Sequence, residues 1–85
     1  MENLYKTLKQ ADKEKRYYII DVVTEQKQKL RLYDMGFYEG NVVMPLYECW
    51  GGGTRGYAVK DTLIALRQKD AQTIFVKEMR KDDRE

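Results

Sequence analysis

Tyr57-Ala58-Val59-Lys60-Asp61-Thr62-Leu63-Ile64-Ala65-Leu66 decides how this chain folds. Two short apolar runs, 57–59 and 63–66, flank Lys60-Asp61-Thr62, a polar link just long enough to reverse the chain. Upstream, Gly51-Gly52-Gly53 has unusual backbone freedom and reads as a loop. Before it, Val42 to Cys49 reads as a strand in which Pro45 removes a ladder donor, placing that position at an edge or a bulge. Downstream, 67–71 suits a single helical turn, and 73–77 is a last strand alternating Ile74 and Val76 with polar or aromatic neighbours. Everything after Gly40 is thus a β-meander.

The first half contributes one more strand and a helix. Tyr17 to Val23 is rich in aromatic and β-branched residues and reads as a strand. Thr24 is placed to cap a helix that starts at Glu25, runs to about Met35 and stops at Gly36. Its apolar side is Leu30, Leu32, Tyr33 and Met35. Residues 1–16 are polar and lysine-rich, with Leu4, Tyr5 and Leu8 as anchors of a short amphipathic turn. The charged stretch 79–85 is expected to fray.

Five short strands bury both faces of a sheet only by curling, so the expected fold is mainly β: a small SH3-like five-stranded barrel. One α-helix between the first and second strands would cover its open end. Residues 1–78 form the single expected domain, with Leu32, Met35, Ile64, Leu66, Ile74 and Val76 in its core. At 85 residues, only a thin core is available.

Composition excludes several chemistries. There is no His, the commonest metal ligand and general base. The single Cys49 has no such base to activate it, and it reads as a half-buried strand residue. The carboxylates Asp82, Asp83 and Glu85 lie on the tail, so neither a metal site nor a bound cofactor is expected, and no enzyme. The segment Trp50 to Gly56 is glycine-rich, but no helix follows it to hold a phosphate, so it reads as a strand connection. A charge of +2, with bases and acids interleaved, makes no basic patch for nucleic acid. No apolar run approaches the roughly 20 residues that span a bilayer, and the N-terminus lacks a secretory h-region. The expected setting is cytoplasmic.

Arg31-Leu32-Tyr33-Asp34-Met35-Gly36-Phe37-Tyr38-Glu39-Gly40 resembles the R-L-x-x-L-G-[LF]-x-P-G segment of the ferrous iron transport protein A (FeoA) family. Gly52-Gly53-Thr54 resembles its G-G-P turn, Ile64-Ala65-Leu66-Arg67 its I-A-L-R strand end, and Ala71, Ile74 and Val76 its A-x-x-I-x-V close. The four blocks fall in order, at family spacing, over residues 8–77. The departures are Glu39 and Thr54 for Pro, Asp61 for Gly, and Pro45 for an apolar strand residue. They bear on loop shape more than on fold.

The resemblance implies a cytoplasmic accessory protein of bacterial ferrous iron uptake, with the FeoB permease as its partner. The related domain of iron-dependent repressors needs a DNA-binding segment upstream, which 16 polar residues do not supply. The rival reading is a small RNA- or ribosome-associated barrel, since seven tyrosines could stack bases. A module without catalysis works through its surface, and interfaces favour Trp, Tyr, Phe, Met and Arg. Two places are expected to expose them: the loop carrying Trp50 and Arg55, and the helix end with Phe37 and Tyr38. Weak self-association is expected at a strand edge near Pro45.

Overall fold

A computed structural model describes residues 5–49 and 51–80. Its strands are β1 (Tyr5–Thr7), β2 (Tyr17–Val22), β3 (Val42–Glu48), β4 (Thr54–Val59), β5 (Thr62–Arg67) and β6 (Ile74–Glu78). A 3₁₀ turn, Leu8–Gln10, follows β1; helix α1 (Gln26–Asp34) joins β2 to β3; and a single turn, α2 (Gln68–Ala71), joins β5 to β6. All pairings are antiparallel, in the order β1-β6-β2-β3-β4-β5.

This corrects the five-stranded closed barrel. The chain is mainly β, with its helix between the two expected strands, but the sheet has six strands and two ends that do not pair with each other. The added strand, β1, replaces the expected helical turn at Tyr5–Thr7, because its backbone completes the outer edge of β6. Leu8 then enters the 3₁₀ turn and is fully buried. Leu4 lies outside the described residues, as does the tail from 81. Met79 donates its N–H to Arg16 O at 2.8 Å, so the chain is still held at that point.

The helix ends where its glycine requires. Gly36 has φ +106°, its N–H donates to Tyr33 O (3.0 Å), and the Phe37 N–H reaches back to Leu32 O (2.9 Å). This is a Schellman close, in which the residue after the glycine packs on the residue five before it. At its start, Glu25 rather than Thr24 occupies the cap position, with extended φ/ψ and no side-chain hydrogen bond. Only Leu32 of the expected apolar side is fully buried. Leu30 is exposed and Met35 is 37% exposed, because the helix lies on the sheet along a narrow stripe.

The core gathers Leu8, Tyr17, Ile19, Val22, Leu32, Phe37, Val43, Tyr57, Val59, Leu66, Ile74 and Val76. Leu32, Leu66, Ile74 and Val76 are where the sequence placed them; Ile64 packs against this core half-buried, and Met35 does not join it. Phe37 and Tyr57 meet edge to face, with centroids 6.1 Å apart. Pro45 sits at a register shift between Pro45 and Tyr47, as the bulge reading expects. The ladder between β2 and β3 stops at Val43, so at Pro45 that side of β3 has no strand partner. Pro45 is nevertheless buried, and the Glu14 N–H donates to its carbonyl at 2.7 Å, so the expected self-association edge is covered there.

Candidate partner interface

The bulge determines what the outer face of the sheet displays. Pro45 pairs with Tyr57, yet Tyr47 pairs with Gly56, so one extra residue turns Tyr47 from the core side to the solvent side. There its ring lies directly over Gly56, in the space where a Cβ would stand. Two cross-strand rows result: Met44–Ala58–Leu63 and Tyr47–Gly56–Ala65. Met44 and Leu63 therefore flank the small Ala58 in the first row, and in the second Tyr47 covers Gly56 beside the small Ala65. Arg16, Met44, Lys60 and Met79 border a surface groove at the first row.

Arg55 is not on this surface. It is only 6% exposed, on the core side of β4. Its Nη1 donates to Lys9 O (3.3 Å) and more weakly to Leu8 O (3.5 Å), two carbonyls at the 3₁₀ turn. Its Nε stands 3.0 Å from Glu48 Oε2; the Nε–H does not point along that line, so the contact is an ion pair rather than a hydrogen bond. Burial pushes the Tyr57 phenol up from its ordinary pKa, and the neighbouring Arg55 charge pulls the other way. Arg55 thus fastens the N-terminal segment to β4. A buried guanidinium is retained because such partners surround it.

Phe37 is also internal, with no exposed surface, since the Schellman close drives it against Leu32. Both expectations of exposure are overturned by packing. Tyr38 remains half-exposed in a small aromatic and charged cluster. Tyr33 meets its ring edge to face (6.5 Å), and Lys60 Nζ lies 5.1 Å from its centre. The Tyr33 hydroxyl donates to Glu39 Oε1 at 2.6 Å. That hydrogen bond, first, raises the Tyr33 pKa and lowers that of Glu39. Trp50 lies outside the described residues. The loop behind it is closed by Cys49 N–H to Thr54 O (2.8 Å) and Gly52 N–H to Cys49 O (3.1 Å).

Met44, Tyr47 and Leu63 are surface residues that the strand pattern of the sequence does not mark as such. For Tyr47, simple alternation from Val43 gives the wrong face, and only the Pro45 irregularity could have signalled the switch. Among the described residues, no three Cys, Asp or Glu side chains gather to hold a metal, and no helix is long and apolar enough to cross a membrane. Two of the tyrosines, Tyr17 and Tyr57, are spent on the core.

Fold and surface together define a small antiparallel β module that presents an apolar face. The chain belongs to the FeoA domain family, whose model matches residues 6–78. It is similar in structure to an iron uptake regulatory protein (FeoA), with TM-score 0.80 and 16% identity, covering 88% of this chain and 99% of that one. A FeoA-like protein from Clostridium acetobutylicum matches with TM-score 0.81 and 19% identity, over 94% and 93% of the two chains. The manganese-activated repressor ScaR, in its zinc-bound form, matches with TM-score 0.78 and 23% identity, over 93% of this chain but 39% of its own. No curated protein matches.

Proposed function

We propose that this chain is a non-enzymatic accessory module of ferrous iron uptake that docks on the cytoplasmic side of a FeoB-type permease. Membership of the FeoA domain family implies a role in ferrous iron transport, and the family match over 6–78 carries the reading. The surface supports a docking role: it offers Tyr38, Tyr47, Met44 and Leu63 as aromatic and apolar anchors. Arg55 and Phe37 act beneath that surface by holding its elements in place. Trp50 is the proposed anchor of the 49–53 loop.

Titration of the purified chain into the cytoplasmic GTP-binding domain of a FeoB permease tests this, beside an RNA-binding assay across a salt series. Saturable permease binding supports the reading. Trp50→Ala is expected to weaken it by about 2 kcal/mol, with the folding midpoint nearly unchanged. Absence of permease binding together with steeply salt-dependent RNA binding would overturn it.

A further inference from the structure

The sheet leaves one long edge open. β5 has β4 as its only strand partner, and no backbone hydrogen bond from another element reaches the outer side of Thr62–Leu66 among the described residues. Its pairing with β4 is unbroken from Thr62 to Arg67, with no bulge to twist the edge away. Proteins blunt such edges with short strands, Lys, Pro or bulges. The opposite edge, β1, is three residues long and carries Lys6. Thr62-Leu63-Ile64-Ala65-Leu66 has none of these devices, and Leu63 is 59% exposed. Helix α1 does not cover this edge: Gln28, Arg31 and Met35 stand across an open groove of about 610 Å³ from Ala65, Leu66 and Arg67.

The charges at the two ends of the strand indicate what covers it. Asp61 precedes β5 and Arg67 ends it; both are exposed, and neither has an ion-pair partner among the described residues. Parallel pairing with an identical strand would set Asp61 against Asp61. Antiparallel pairing about Ile64 sets Asp61 of each copy against Arg67 of the other. In the same register, Leu63 falls opposite the small Ala65 of the second copy, on the outer face of both sheets. Ile64 then meets its own twin on the core side. Charge, size and face agree only if a two-fold axis passes through Ile64.

The geometry points to an isologous dimer in which β5 of two copies pair antiparallel about Ile64, joining their sheets into one. The contact is small, so the dimer is weak and forms as concentration rises. It does not depend on the permease reading, and it is tested without a permease.

Sedimentation equilibrium of the full chain from micromolar to millimolar concentration reads the dimer, and amide exchange locates it. The expected result is a monomer–dimer equilibrium with added protection confined to 62–66. Leu63→Lys should raise the dissociation constant at least about ten-fold. Asp61→Arg or Arg67→Asp alone should raise it by about five-fold, and the double swap should restore it to within about two-fold. Thermal melts confirm that each variant is folded; Leu63 and Arg67 are exposed and carry no core packing. A monomer at millimolar concentration, a dimer indifferent to Leu63→Lys, or open-ended growth through β1 of the next copy would each overturn the assignment.

Discussion

A β-carbon on Gly36 would stand 2.7 Å from Val59 Cγ1, closer than two carbons can approach. The helix end and β4 are therefore packed backbone to side chain, and Asn41 Nδ2 reinforces the junction by donating to Gly36 O at 2.7 Å.

Gly36→Ala meets two penalties at once: the +106° φ that side chains avoid, and the Val59 contact. It should destabilise the fold by about 1–3 kcal/mol. Urea unfolding checks this; an unchanged midpoint would mean that the helix end can be rebuilt without the left-handed residue.

Arg55→Ala removes the donor to the Leu8 and Lys9 carbonyls and leaves a cavity beside Tyr57. The expected loss is about 2–3 kcal/mol of folding stability. If Arg55 serves the fold, the protein that remains folded should bind its partner as tightly as before. Titration of the variant below its melting point distinguishes this from a direct contact, which would weaken binding without lowering the midpoint.

The core assignment predicts unequal costs for two residues that look alike in sequence. Leu66→Ala, at 3% exposure, should lose about 2–5 kcal/mol. Met35→Ala, on the rim of the groove beside α1, should lose less than about 1 kcal/mol. Paired thermal melts would expose an error if the two midpoints fell equally.

The Tyr33–Glu39 hydrogen bond gives a pH signature at the surface. Glu39 has a lowered pKa in the folded chain, so its contribution is present above the ordinary carboxylate range and is lost as pH falls through the folded value. Tyr33 has a raised pKa, so its contribution is complete below the ordinary phenol range and is lost as pH rises through the folded value. Tyr33→Phe should move the Glu39 midpoint upward, read by NMR of its carboxyl carbon. No movement would show that the hydrogen bond is absent in solution.

The sequence by itself determined the meander, the helix stop at Gly36, an irregularity at Pro45 (an edge or a bulge) and the alternation that buries Ile74 and Val76. Each is a local rule: a left-handed residue, a missing donor, a period of two. Tertiary structure alone decided the rest. β1 forms because the backbone of β6 offers it an edge, and backbone hydrogen bonds leave no mark in side-chain pattern. Phe37 and Arg55 have the composition of interface anchors, but the helix close and the carbonyls of the 3₁₀ turn draw them inward. Tyr47 reaches the surface because a single extra residue changes the face of everything after it. The sheet stays open because β1 docks on β6 and does not meet β5, a matter of pairing between segments far apart in sequence.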